Sequence, residues 1–129
     1  METNNYLCGK IISMSERKIR VAFMSEAKEY LYSLPEKVRK KVTYNILRVE
    51  GGELNNDLFK KLENSEIWEF RTLYNGACYR LFAFWDTKIQ ALVVATHGIV
   101  KKTQKTPKKE IEKAESLRKM YFNEKNIQL

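Results

Sequence analysis

Hydrophobic residues recur along parts of the chain with the period of an amphipathic helix, and this period predicts three helices. The first covers 25–34, with Ser25 as its N-cap residue. The second covers 35–50 and ends before a Gly-Gly pair, and the third covers 107–123, after Thr106 as N-cap. The predicted apolar faces are Ala27, Tyr30, Leu31 and Leu34; Val38, Val42, Ile46 and Val49; and Ile111, Ala114, Leu117 and Tyr121.

Other segments alternate between hydrophobic and polar residues or are short and apolar, which predicts strands. The segment 53–64 is predicted to be a loop or short turn. The resulting order, βααβββα, indicates one α+β domain with an antiparallel-rich sheet packed against the helices. The first strand is expected to join the sheet, with parallel pairing to a central strand as one arrangement. The predicted strands are 17–23, 66–74, 77–85 and about 90–99.

Asn75-Gly76 is a strong signal for a two-residue hairpin turn, and it fixes the register of the strands on either side. In that register Arg71 lies directly opposite Arg80, on the face of the sheet opposite the predicted core. Two arginines about 5 Å apart repel each other by a few tenths of a kcal/mol or more. Either both extend into solvent, or Glu69 neutralises one of them, or the pair binds a phosphate.

Composition narrows the class of protein. The 129 residues include 24 Lys and Arg against 16 Asp and Glu, a net charge of +8, which favours a polyanionic partner without excluding mere solubility. Cys8 and Cys78 are far apart and the chain has one histidine, so a Cys/His zinc site and a disulfide-rich scaffold are excluded. No apolar run is long enough to span a membrane and no signal peptide is apparent, so we expect a cytoplasmic protein.

Lysines surround the start of the last predicted helix, where the helix dipole favours acidic residues. They form either a solvated basic segment or, together with the amide groups of the first turn, a phosphate site. The lysines concerned are Lys101, Lys102, Lys105, Lys108 and Lys109.

Four stretches of sequence form a recognisable set of motifs: Leu58–Leu62, Ile67–Arg71, Tyr79–Phe82 and His97–Pro107, followed by Glu110, Ile111 and Ala114. Together they resemble RelE/HigB-type toxins, and most of all the phage-derived host-inhibition type of HigB-like toxin. The resemblance covers about residues 17–122 and implies a toxin domain over 17–125, preceded by an N-terminal extension over 1–16.

The resemblance implies a toxin of a type II toxin–antitoxin module. Such toxins are endoribonucleases that cut mRNA on the ribosome, use the ribose 2′-OH as nucleophile and need no metal or other cofactor. The implied partners are a cognate antitoxin, expected to be of helix-turn-helix type, together with the ribosome and mRNA.

By motif, Arg71 occupies the position of the phosphate-stabilising arginine, and Lys60-Lys61 that of a basic loop near the reacting nucleotide. Lys101 and Lys102 fall where a basic residue follows the last strand. Arg80 matches a recurrent arginine whose role is partly structural. With Lys105, Lys108 and Lys109, these residues are the expected catalytic and RNA-binding set.

Three further residues have both a structural and a functional interpretation. His97 is either a packing residue or a general base whose pKa is lowered by neighbouring cations. Phe82 is the aromatic residue we expect to stack on a base from an open face of the sheet. Tyr121 falls on the apolar side of its helix and is interpreted as a core residue, so no proton donor is evident.

Two other functions remain open. The chain could be a non-catalytic RNA- or ribosome-binding module, such as an inactive toxin homologue, which would inhibit translation without cutting mRNA. It could also act only through an antitoxin-like partner in transcriptional control, and it would then neither cut mRNA nor bind ribosomes.

Overall fold

A computed structural model describes residues 18–101 and 105–127 and contains five strands and three helices. The predicted α+β class and the predicted position of every helix are confirmed. The elements are β1 (Arg20–Phe23), α1 (Ser25–Ser33), α2 (Glu36–Glu50), β2 (Phe59–Lys61), β3 (Trp68–Tyr74), β4 (Ala77–Trp85), β5 (Leu92–Lys101) and α3 (Lys108–Ile127).

The five strands form one sheet in the order β1-β5-β4-β3-β2. β1 pairs parallel with the interior strand β5, which is one of the arrangements expected from the sequence. The other neighbouring strands pair antiparallel. β5 contains a bulge, because Leu81 pairs with Gly98 while Ala83 pairs with Ala95.

Helices α1 and α2 cover one face of the sheet and form the larger core with it. The predicted apolar residues of α2 are all buried, and they pack in one cluster with Phe70, Leu81 and Ala83 of the hairpin. This is the face that the hairpin register assigned to the core. At the outer edge, Glu50 accepts a hydrogen bond from the backbone N–H of Val21 at 2.8 Å.

Helix α3 covers part of the other face, so the expectation of an open sheet there is wrong. Phe82 and Phe84 of β4 pack with Ala114, Tyr121 and Phe122 of α3 in a second, smaller core. The apolar side of α3 packs on this face of the sheet because the contact removes both apolar surfaces from water.

Three local predictions need correction. The segment 53–64 contains a short strand, β2, whose Phe59 pairs with Phe70 and is buried in the larger core. Met24, not Ser25, occupies the N-cap position of α1, because its N–H still pairs with Ala95 of β5. α3 begins at Lys108. The Thr106 hydroxyl does not cap this helix, because it is hydrogen-bonded to Arg80 and Glu69 of the sheet.

The predicted N-terminal extension over 1–16 and the predicted site residue Lys102 lie outside the described residues. Within the described ranges, no helix is long and apolar enough to cross a membrane. The same ranges hold no group of three or more His, Cys, Asp or Glu side chains placed to bind a metal ion.

Candidate functional site

The site is built on the β3–β4 hairpin, whose predicted register is confirmed at every pair from Trp68–Ala83 to Tyr74–Ala77. Asn75 and Gly76 have φ values of 49° and 79°, the left-handed conformation that a two-residue hairpin turn requires. Arg71 therefore faces Arg80 across the two strands.

Glu69 resolves the repulsion between the two arginines. Its carboxylate is 1% exposed and accepts hydrogen bonds from Arg80 Nη1, at 3.0 and 3.2 Å to its two oxygens. Arg71 Nε lies 3.4 Å from the same carboxylate. Of the three interpretations of the arginine pair, neutralisation by Glu69 is the one that holds for Arg80. The residue is itself only 1% exposed.

Thr106 joins this cluster to the segment before α3. Its hydroxyl donates a hydrogen bond to Glu69 Oε2 at 2.8 Å and accepts one from Arg80 Nη1 at 2.8 Å. The three side chains form a closed ring of charge-assisted hydrogen bonds that ties β3, β4 and the start of α3 together.

A cleft of about 600 Å³ opens over this cluster between the β2–β3 turn and the start of α3. Among the described residues, five cationic and two acidic side chains line the cleft, so this lining has an excess of positive charge. The lining residues are Lys60, Leu62, Glu63, Asn64, Glu69, Arg71, Arg80, Lys105, Thr106, Lys108 and Ile111.

Arg71 is the arginine that remains accessible from the cleft. Its side chain is 21% exposed, against 2% for that of Arg80. Among the described residues, Glu69 is its one charged partner. Because the contact with Glu69 is made through Nε, the two terminal nitrogens of the guanidinium remain for an anionic ligand.

Lys60 and Lys61 were predicted as a pair, and the structure separates them. Lys60 pairs with Glu69 and lines the cleft, whereas Lys61 pairs with Trp68. Successive side chains of a strand point to opposite faces, so Lys61 projects on the side of the larger core.

The basic residues around the start of α3 also divide. Lys105 and Lys108 line the cleft, while Lys109 and the half-buried Lys101 do not. The position of Lys105 and Lys108 follows from Thr106, whose bonds to Glu69 and Arg80 hold the segment against the sheet.

His97 lies in the interior and does not line the cleft, so its position supports the packing interpretation. It is 4% exposed, with Nδ1 3.1 Å from Thr96 Oγ1 and Nε2 3.0 Å from Glu110 Oε1. Burial lowers its pKa, against the opposing hydrogen bond with Glu110, and the Lys113 ammonium lowers it further. The predicted direction is therefore right, but its main cause is burial rather than neighbouring cations.

The two aromatic residues with alternative roles are both packing residues. Phe82 is fully buried and lies against the His97 ring at 5.0 Å between centroids, so the prediction that it stacks on a base is wrong. Tyr121 packs edge-on against Phe84 and donates a hydrogen bond to Asp86 Oδ2 at 2.7 Å, as its interpretation as a core residue requires.

Of the described residues that line the cleft, six were not predicted as site residues: Leu62, Glu63, Asn64, Glu69, Thr106 and Ile111. Asn64 has a φ of 56°, a turn conformation that asparagine tolerates. An asparagine at this position therefore already predicts a turn from the sequence. In the sequence, Thr106 before Pro107 suits the N-cap of a helix. Only the hydrogen bond of its hydroxyl to Glu69 shows that it belongs to the cleft instead.

Comparisons with known proteins show the family and the fold. The model of the phage-derived, Gp49-like protein family matches residues 29–119. A variant of the E. coli toxin RelE with two arginines replaced by alanine, in the free state, superposes with a TM-score of 0.55. It is 15% identical, and the match covers 78% of this chain and 96% of that chain, which shows a shared fold.

The toxin–antitoxin complex RelBE2 from Mycobacterium tuberculosis contains a further similar chain. It has a TM-score of 0.44 and 19% identity, with 68% of this chain and 99% of that chain covered. No curated protein matches the sequence at a significant level.

Proposed function

The chain belongs to the Gp49-like family of phage-derived proteins, and from this premise we propose that it is the toxin of a type II toxin–antitoxin pair that cuts mRNA on the ribosome. The observation that carries the proposal is the cationic cleft on a RelE fold, with Arg71 accessible at its floor. Its lining suits a nucleic acid, because phosphate contacts from Lys and Arg bind the backbone whatever its sequence.

The proposed reaction is attack of a ribose 2′-OH on the adjacent phosphorus, which breaks the bond to the 5′ oxygen. A 2′,3′-cyclic phosphate and a free 5′-hydroxyl are the products. Negative charge increases on the phosphoryl oxygens in the transition state, and preorganised cations stabilise it there. Arg71 and Lys60 would bind these oxygens, with Lys105 and Lys108 on the opposite side of the cleft.

The reaction also needs a proton acceptor and a proton donor. Glu63 is the exposed carboxylate of the cleft and is the acceptor that we propose for the 2′-OH proton. Glu69 is less suited, because Arg80 and Thr106 already occupy its oxygens. A lysine ammonium of the cleft would donate a proton to the departing 5′ oxygen.

The proposed partners are the ribosome, mRNA and an antitoxin encoded beside the toxin. Exposed cations on α2, including Lys37, Lys40 and Lys41, add a basic surface outside the cleft that would contact ribosomal RNA. An antitoxin of helix-turn-helix type would supply the DNA-binding part of the pair. Co-expression of the neighbouring reading frame should then restore growth.

Primer extension on mRNA from cells that express the chain tests the proposal. We expect growth arrest and cuts within translated codons, and loss of both with Arg71→Ala at an equal level of folded protein. Undiminished cuts by folded Arg71→Ala would overturn the assignment of Arg71, and growth arrest without cuts would overturn the nuclease.

A non-catalytic RNA- or ribosome-binding module is the second candidate. It is favoured by the positions of His97 and Tyr121, whose polar atoms bond to other side chains away from the cleft, so that no imidazole or phenol of a described residue lines it. Such a module would inhibit translation at the same protein level without cutting mRNA.

A further inference from the structure

We propose that Glu69 is a positioning residue that holds the Arg71 guanidinium in the orientation needed to bind the reacting phosphate. The proposal rests on the proposed function of the cleft and adds a role for a side chain that does not itself contact RNA. The observation behind it is a buried carboxylate shared by two arginines, whose side chains are 21% exposed for Arg71 and 2% exposed for Arg80.

The geometry separates what the two arginines do for Glu69. Arg80 Nη1 donates to both carboxylate oxygens and the Thr106 hydroxyl donates to one, so the carboxylate is fixed from β4 and from the segment before α3. Arg71 contacts this fixed group through Nε at 3.4 Å. Nε is buried and makes no hydrogen bond to any described residue, so the contact with Glu69 is ionic.

An ionic contact at Nε leaves the outer edge of the guanidinium, with Nη1 and Nη2, for a ligand. That edge binds two phosphate oxygens at once only when its plane is correctly turned. A long side chain with several rotatable bonds loses rotamer entropy when it is held in one place, and a contact made before the substrate arrives lowers this cost of binding.

Arg80 gives Glu69 a second property that the site needs. A bare carboxylate at the floor of the cleft would repel a phosphate, whereas one already paired with a buried guanidinium presents little net charge. Glu69 can therefore orient Arg71 without competing for it when RNA binds.

The alternative is that Glu69 only stabilises the fold. Two variants distinguish the roles. Glu69→Gln keeps the size of the side chain, removes its charge and replaces one of its two acceptor oxygens by an NH2 donor. Because a single change leaves Arg80 buried without its anion, Glu69→Gln/Arg80→Gln is the second variant, in which no buried charge lacks its counterion. Thr72→Val is the matched control, since it removes a buried polar contact of β3, to Asn45, on the opposite face.

The assay is single-turnover cleavage of ribosome-bound mRNA by the folded fraction of each variant. We expect Glu69→Gln, or the double variant where the single one does not fold, to slow cleavage by about 10- to 100-fold, the size of loss that a small misplacement of a binding group causes. The KM should change by less than about threefold, because the other cations still bind RNA. Thr72→Val should lower the melting temperature without slowing cleavage.

The decisive comparison repeats these changes in an Arg71→Lys background, which keeps a cation in the cleft, and with it a residual rate to measure, but has no guanidinium to orient. If Glu69 acts through Arg71, its substitution slows cleavage no further there, because residues that act as a unit are not additive. An equal loss in both backgrounds, or no loss in the Arg71 protein, would overturn the proposal.

A measurement independent of cleavage separates this proposal from the proposed function. In ¹⁵N-labelled protein, the Nε–Hε resonance of Arg71, assigned by its absence from Arg71→Ala, should be sharp and slow to exchange with solvent. It should lose that protection in Glu69→Gln/Arg80→Gln. Protection in a protein that cuts no mRNA would refute the nuclease and leave the positioning contact standing, whereas an unprotected resonance in the unsubstituted protein would refute the contact.

Discussion

Neighbouring lysines on β2 should differ sharply in their contribution to activity. Lys60 pairs with Glu69 and lines the cleft, whereas Lys61 pairs with Trp68 and projects from the other face. Both are exposed, so replacing either by glutamine removes one charge at little cost to the fold. The two variants are therefore matched controls for each other, alike in charge, strand and solvent exposure.

Coulomb's law gives the expected size of the difference. Two unit charges about 4 Å apart interact by about 1 kcal/mol in bulk water and about 4 kcal/mol near a protein surface. An exposed lysine over a phosphate falls between these limits, and each 1.4 kcal/mol or so is a tenfold change in rate. Lys60→Gln should therefore slow cleavage by about 10- to 100-fold. Lys61→Gln should slow it by less than about threefold, because water and salt screen a charge on the far face.

The assay is single-turnover cleavage of ribosome-bound mRNA at about 0.15 M salt, where the screening length is about 8 Å. Thermal unfolding of both variants checks that the fold is intact. A larger loss for Lys61→Gln would mean that the strand has its opposite face toward RNA, and equal losses would mean that RNA does not distinguish the two faces. Either result would refute the assignment of the cleft.

Three further predictions concern residues that sequence motifs or chemistry could mistake for catalytic groups. Phe82→Ala should destabilise the fold by about 3–5 kcal/mol, measured by urea unfolding, without weakening RNA binding by the folded fraction, since the ring is fully buried. Burial lowers the pKa of His97 in the folded state, so the neutral imidazole contributes fully to stability above about pH 6.5. This contribution falls as the pH drops below that value, and His97→Gln should flatten this part of the plot of stability against pH. Tyr121→Phe should cost about 1 kcal/mol through its lost bond to Asp86 and leave the cleavage rate unchanged, whereas a large loss of rate would identify it as an acid–base group.

The central hairpin could be predicted because its determinants are local. Asn75-Gly76 fixes the turn, and the strict alternation of side chains then fixes every pair, including Arg71 with Arg80. The same register places Glu69 diagonal to Arg80, and this position predicts the neutralisation of Arg80 as one of the three interpretations of the pair. The apolar faces of the helices could be predicted equally well, because hydrophobic residues that recur every three or four positions lie on one side of a helix.

The covered face could not be predicted in the same way, because it depends on where α3 docks. No local pattern says that a helix beginning at Lys108 folds back over Phe82, and an uncovered sheet made Phe82 appear available. The short strand β2 was missed for a related reason, since three residues are too few to show a period.

The cleft itself is a product of tertiary contacts. Lys60, Arg71 and Lys108 come from three elements. Thr106, which bonds Glu69 and Arg80 and so holds the start of α3 against the sheet, has a sequence context that equally suits a helix cap. Motif resemblance nominated Lys60 and Lys61 together because motifs do not record which side of a strand a residue faces.

Cleavage of one mRNA by the purified protein, with and without ribosomes translating it, tests the central claim most directly. The proposal predicts cuts within codons of the ribosome-bound message that carry 2′,3′-cyclic phosphate ends, persist when Lys61 is replaced, and disappear with Arg71→Ala. Binding to the ribosome with the message left intact, at protein concentrations that saturate the complex, would contradict it.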